Sequence, residues 1–445
     1  MATPERDRSA SRPLTLYPVM RYTLRMNATI RAFAIIAAIA CATPFRQASC
    51  DEYYSERGFS IDLPEGFVFL GGDGSSKFSF GLPDGSVEID LIAYPDDRFG
   101  EAREGAEDTA RRLSGRGSFA AFDYQGRGAA LGELSFGSGQ SAMRGYGLFV
   151  NDVAPPADSG GEPYDLVVLA YAPADGYDGY ADFVASAIDG FSIDYGRRAA
   201  PGPLGTAGRA ALGAARPRPV TLRFGKAEIR ADWNPAEAAL SQQLVEREYR
   251  VLTAYGQSPE LIDAAIARFY RMAFRDAAPS LDRLALELSA AWESGAWAGA
   301  RPGPSLGAGA TEPATAGPRF GATAEPRGYA EALLGWVQGF AYERDPAGSD
   351  VVNPISAAFE GRGDCDSRAL VMAILLRREN IRSILMVSLV HEHALAAVDA
   401  PGAGARFPFE GGAWLVAETT ATVGLGMIDS AQADPSAWIG VAFPF

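Results

Sequence analysis

Residues 361–377 read Gly361-Arg362-Gly363-Asp364-Cys365-Asp366-Ser367-Arg368-Ala369-Leu370-Val371-Met372-Ala373-Ile374-Leu375-Leu376-Arg377. Two glycines make a turn, and Asp364 is of the residue type that caps a helix. The nearly continuous apolar run behind it predicts a central helix buried on most sides. Cys365 falls in its first turn. Unpaired N–H groups and a partial positive charge favour the thiolate there, and the thiolate is the nucleophilic form of cysteine. Asp364 and Asp366 work the other way, because neighbouring carboxylates disfavour a further negative charge. A base is therefore required.

The chain has two histidines, His391 and His393, both just beyond this helix. Residues 384–390 read as a strand from their β-branched content, 393–398 as the next and 414–420 as a third, with Glu418 near its end. A cysteine at a helix start, with a histidine and an acid on adjacent strands, is the order of a nucleophile, its base and the group that orients the base. On an extended strand His391 shares a face with His393, so either ring could be the base. The spacing His391-Glu392-His393 is not the one that puts two histidines on one helical face around zinc, and no metal or cofactor is expected. Upstream, residues 329–342 form an amphipathic pattern containing Trp336-Val337-Gln338. Gln338 either packs or donates to an oxyanion beside the Cys365 backbone N–H.

Residues 329–428 resemble the transglutaminase-like superfamily, whose core is papain-like. The resemblance rests on Trp336-Val337-Gln338, Tyr342, Gly363-Asp364-Cys365 and His393-Ala394. Where the family has Asp-Pro-Thr, this chain has Glu418-Thr419-Thr420, so strand spacing must accommodate one extra methylene. The resemblance implies Cys365 as nucleophile, His393 as base and Glu418 as orienting acid, with Gln338 and His391 as possible support. It also implies a peptide or amide hydrolase, or an acyl transferase, that works through a thioester on Cys365. No cofactor is implied, and the substrate would be a peptide or protein of the cell envelope. The alternative is a non-catalytic envelope scaffold or binding protein that keeps the fold without turnover.

Elsewhere the sequence sets the organisation. Of 445 residues, 47% are apolar and 21% charged, an ordinary globular composition. The net charge is −15 and Lys77 and Lys226 are the only lysines, which argues against nucleic acid as a partner. Residues 1–49 contain Arg21, Arg25 and Arg31 followed by a short apolar run at 32–40, the signature of a signal peptide. Cys41 and Cys50 are candidate lipid-anchor positions. The expected location is the bacterial cell envelope, periplasmic or lipid-anchored.

Residues 52–196 alternate like strands at 58–64, 87–93, 128–136, 143–150 and 164–172, with helical patterns at 101–113 and 177–188. The opening FSIDLPEGF and the closing helix-then-strand ADFVASAIDGFSI resemble PsbP-like α/β/α domains, which implies a binding or spacing role, with another envelope protein as candidate partner. Residues 197–219 read as a linker. Residues 220–297 form a helical segment opened by a hairpin at 220–231. Its helices are expected at 236–255, 259–274 and 280–292, with Asn234 and Ser280 as caps. Residues 298–327 read as a flexible Ala/Gly/Pro-rich loop, and 328–445 as the transglutaminase-like domain. The fold class is α+β: an N-terminal α/β/α sandwich-type domain, then the helical segment, then a papain-like transglutaminase core.

Overall fold

The computed structural model describes residues 52–95, 98–138, 141–157, 160–213, 216–298, 326–345 and 348–444. The export segment expected at 1–49, Cys41, Cys50 and nearly all of the 298–327 loop lie outside the described residues. The class is α+β, with eight α-helices and four antiparallel sheets among the described residues. None of these helices is long and apolar enough to cross a membrane.

The N-terminal part runs β1 (Glu52–Tyr54), β2 (Ser60–Asp62), β3 (Val68–Gly72), β4 (Lys77–Gly81), β5 (Glu88–Pro95), α1 (Ala102–Arg112), β6 (Arg116–Tyr124), β7 (Arg127–Ser138), β8 (Ser141–Val153), β9 (Tyr164–Pro173), α2 (Tyr177–Asp189) and β10 (Phe191–Ser192). Seven of these strands form one sheet in the order β3-β4-β5-β9-β8-β7-β6. Alternate residues serve opposite faces, as strand geometry requires. Val150, Leu166 and Val168 pack with Val184 and Ile188 of α2. Their neighbours Phe149, Val167 and Leu169 pack with Ala102, Ala106 and Ala110 of α1. The two helices therefore cover the two faces of the sheet.

Residues 197–219, expected as a linker, contain the helix α3 (Pro203–Leu212). Pro203 takes the first turn, where its missing N–H costs nothing, and alanine is the best helix former, so an Ala/Gly/Pro-rich stretch can be helical. Oδ1 of Asp189 accepts the Leu204 N–H at 2.8 Å and so ties this helix to the end of α2. The hairpin follows as β11 (Arg218–Phe224) and β12 (Ala227–Trp233), and then α4 (Pro235–Ala254), capped by Asn234. The two helices expected at 259–274 and 280–292 are one, α5 (Ile262–Glu293), with Pro279 inside it. Ser280 is therefore not a cap; its hydroxyl donates to Glu237 Oε2 at 2.8 Å. Burial of Phe274, Ala277, Leu281 and Leu284 on both sides of Pro279 outweighs the hydrogen bond that proline removes.

Buried charges join α5 to β2, α2 and α4. Arg268 donates to Glu248 Oε2 (3.0 Å), Ser186 Oγ (2.7 Å), and the carbonyls of Ser186 and Asp62 (3.0 and 2.9 Å). Arg271 grips the Asp62 carboxylate with two hydrogen bonds of 3.0 Å.

The C-terminal part comprises α6 (Pro326–Gln338), α7 (Pro354–Glu360), α8 (Cys365–Arg378), β13 (Ser383–Ser388), β14 (His393–Val398), β15 (Arg406–Phe409), β16 (Gly412–Ala417) and β17 (Ile439–Ala442). The strands pair in the order β15-β16-β14-β13-β17. Leu385, Val387, Ala394, Ala396 and Leu415 share a core with α8, which is buried from Ser367 to Leu376. Ile384, Met386, Leu395, Trp414 and Val416 form a second cluster with Trp438.

Candidate active site

The turn before α8 needs its glycines. Gly363 has φ +156°, and a Cβ there would lie 2.7 Å from Cβ of Ser367. Gly361 ends α7 in the left-handed region at φ +63°. Ala341 clamps this turn: its N–H donates to Gly361 O (2.8 Å) and its carbonyl accepts the Gly363 N–H (2.9 Å). Asp364 caps α8 as expected, with Oδ1 accepting the N–H (2.9 Å) and hydroxyl (2.6 Å) of Ser367. Burial, reinforced by Asp366, pushes its carboxyl up to about 7.

Cys365 occupies the first turn of α8 and is 4% exposed. Its thiol donates to Asp366 Oδ2 at 3.3 Å rather than to an imidazole. The other oxygen of Asp366 accepts the Tyr270 hydroxyl from α5. Burial first, then the charges of Asp366 and Asp364, push the thiol well above its ordinary range, against a stabilising N–H from Ala394. The pull of the helix start toward thiolate is thus outweighed. A partial charge of about half a unit at the helix terminus does not offset dehydration and two carboxylates.

His393 opens β14 and pairs across the sheet with Ser388. Its Nε2 lies 2.9 Å from Glu418 Oε2, and both side chains are largely buried. The second carboxylate oxygen accepts the Thr420 N–H (2.7 Å) and hydroxyl (2.6 Å). Burial alone would raise this carboxyl, yet the bonds from His393 and Thr420 hold it at about 2. An ionised carboxylate only accepts, so Nε2 carries a proton, and in the neutral imidazole Nδ1 presents a lone pair. Ala396 faces Ala417 in the sheet, which puts Glu418 just past the end of β16. From there the longer glutamate side chain reaches His393.

The other two candidates stand elsewhere. His391 is not on an extended strand with His393, because Glu392 between them has φ +50° and residues 389–392 form the β13–β14 turn. Its ring packs 5.5 Å from that of Trp438, and its buried Nε2 has no hydrogen-bond partner among the described residues. Gln338, the last residue of α6, donates from Nε2 to the carbonyls of Glu418 (2.8 Å) and Val423 (3.0 Å). Its amide nitrogen thus holds the acid's backbone instead of facing an oxyanion.

A cleft of about 610 Å³ opens over His393 and Glu418, lined also by His391, Thr420, Met427 and Asp429. Cys365 is not in its lining. Two contributors escaped the sequence reading. Tyr270 comes from a distant helix and carried no local signal. Arg368 did carry one: it is a charged residue one turn after Cys365 at the head of an otherwise apolar helix.

No family model matches the chain, and no curated protein matches it. Among solved structures it is similar to cyanobacterial PsbP (CyanoP) from Synechocystis sp. PCC 6803, with 13% identity and a TM-score of 0.25, covering 35% of this chain and 98% of that one. It is also similar to LpqN, involved in cell envelope biogenesis of Mycobacterium tuberculosis, with 17% identity and a TM-score of 0.22, covering 29% of this chain and 79% of that one. A Ran-binding protein of Saccharomyces cerevisiae is 11% identical with a TM-score of 0.22, covering 33% of this chain and 97% of that one.

Proposed function

We propose that the chain is an exported cysteine enzyme of the transglutaminase-like kind, acting on peptide or glutamine-type amides of the cell envelope. The observation that carries this reading is the His393–Glu418 pair, 2.9 Å apart, with its carboxylate ionised. That pair leaves His393 Nδ1 as a proton acceptor, at the strand start whose next N–H, from Ala394, stabilises the Cys365 sulfur. In the proposed reaction Cys365 attacks the amide carbonyl carbon as its proton passes to His393. The carbon–nitrogen bond then breaks, the departing amine takes that proton, and a thioester remains on sulfur. Water, with His393 again accepting a proton, cleaves the thioester and restores the thiol; an amine in place of water gives transfer. Because the resting thiol is protonated, proton removal accompanies attack, and the sulfur must leave Asp366 to enter the cleft.

The full-length protein incubated with a synthetic library of glutamine- and amide-bearing peptides, then quenched in acid, tests this. Mass spectrometry should find an acyl adduct on the Cys365 peptide and released product, both absent from C365A. No adduct and no product from the unaltered protein would overturn the proposal.

A second reading, the non-catalytic envelope scaffold, is favoured by one observation: the sulfur is buried and bonded to a carboxylate. It requires that no acyl adduct form and that iodoacetamide leave Cys365 untouched throughout the neutral range.

A further inference from the structure

Arg368 is buried in the first turn of α8, three residues after Cys365, and none of the hydrogen bonds described for it goes to a carboxylate. Its guanidinium instead donates to three backbone carbonyls from three segments. Nε reaches Gly363 O (3.0 Å) in the turn that carries the sulfur. Nη2 reaches Phe340 O (2.7 Å), just past α6. Nη1 reaches Thr419 O (3.3 Å), next to the acid. Gln338 holds the adjoining carbonyl, Glu418 O, at 2.8 Å. Consecutive carbonyls of the acid-bearing segment are therefore gripped by two side chains, and one of these belongs to the nucleophile's own helix.

A buried cation is costly unless its donors are satisfied. A leucine or methionine would complete the apolar face of α8 without that cost. What arginine adds is a planar fork that can hold three backbone segments at fixed distances.

We infer that Arg368 is a positioning residue that fixes the Glu418 segment to the Cys365 turn and so sets the carboxylate against His393. This rests on the proposed triad for its catalytic meaning, although the contacts themselves do not. Arg368 touches neither substrate nor reacting atoms; it acts through Glu418.

Full-length protein labelled with ¹⁵N in histidine alone tests the inference. Two histidines give few imidazole N–H signals, and H391N identifies those of His393. The proton on His393 Nε2 is held by Glu418 and should exchange slowly with water, with E418Q as the reference for its release. R368M should speed this exchange at least tenfold. Q338L should act in the same direction, and R368K should fall between, because an ammonium group cannot span the three carbonyls. Circular dichroism establishes that each variant is folded. A folded R368M whose His393 proton exchanges as in the parent overturns the inference, and so does R368K behaving as the parent if R368M does not fold. The enzymatic reading fails separately: no Cys365-dependent product while exchange still responds to Arg368 removes the reaction and leaves the positioning role standing.

Discussion

The thiol of Cys365 and the carboxylate of Asp366, neighbours on the first turn of α8, face each other at 3.3 Å, and Tyr270 holds the far oxygen of that carboxylate. Burial and then this contact keep the proton on sulfur. Removing the negative charge while keeping the shape should therefore make the thiol more acidic. D366N is expected to alkylate faster with iodoacetamide at pH 8, by about tenfold for each unit that the thiol descends. Peptide mapping restricts the measurement to Cys365. A rate in D366N equal to or below that of the parent would mean that burial alone protects the sulfur.

The link between His393 and Glu418 predicts an asymmetry between two conservative changes. E418Q keeps the side chain's length and its reach to Thr420 but can donate a proton toward Nε2. That favours the tautomer with hydrogen on Nδ1, the wrong one for a base. Product formation from a peptide that the parent turns over should fall on the order of 10³–10⁴-fold. E418D keeps the charge but is one methylene shorter. It should lose less, because the correct tautomer is still preferred. Equal activity in E418Q and parent would remove Glu418 from the reaction.

The parts legible in the sequence are those with local causes. Asp364 followed by an apolar run gave the cap and the buried helix. The apolar, strand-like stretches gave β14 at both ends, and β13 and β16 with ends displaced by one to three residues. The order of residues along the chain leaves His391 and His393 both open, and the assignment of His393 to Glu418 comes from the transglutaminase-like resemblance. What local pattern could not supply was set by the surroundings. Pro279 argues for a break, and only packing on both sides of α5 explains its continuity. Glu392 in the left-handed region rotates His391 out of the face that simple alternation assigns it. The state of the Cys365 thiol depends on burial and on Tyr270, nearly a hundred residues away in sequence, neither of which a linear reading contains.

The buried guanidinium of Arg268 predicts how β2, α2 and α4 stay together with α5. It meets Glu248, Ser186 and the carbonyl of Asp62, all shielded from water. R268M would take one of two arginines from the buried Glu248 carboxylate and leave it Arg247 and Ser186. The loss of stability should be at the low end of the range for a broken buried pair, about 3 kcal/mol in urea titrations. R268M/E248L, which removes both charges, should recover much of it. A double variant no better than the single would assign the loss to packing around the arginine stem.

Stability should also depend on pH in an uncommon direction. Asp276 is buried, both its carboxylate oxygens lack hydrogen-bond partners among the described residues, and burial together with Asp189 pushes it up to about 7. Glu65 is likewise pushed up to about 7, chiefly by burial, as is Asp364. For each of these the folded value exceeds the unfolded one, so between roughly pH 4 and 7 the folded chain holds more protons. Stability from these groups is full below that window and is lost as pH rises through it. Glu418, held at about 2, has the opposite sign: its contribution is present above 4.5 and disappears toward pH 2. The melting temperature should therefore peak at about pH 4–5 and decline toward pH 8. D276N cannot ionise, so it should flatten the decline and melt above the parent at pH 8. Thermal scans by circular dichroism in matched ionic strength measure this. A melting temperature that climbs from pH 5 to pH 8 would show that Asp276, Glu65 and Asp364 are solvated or paired in the folded protein.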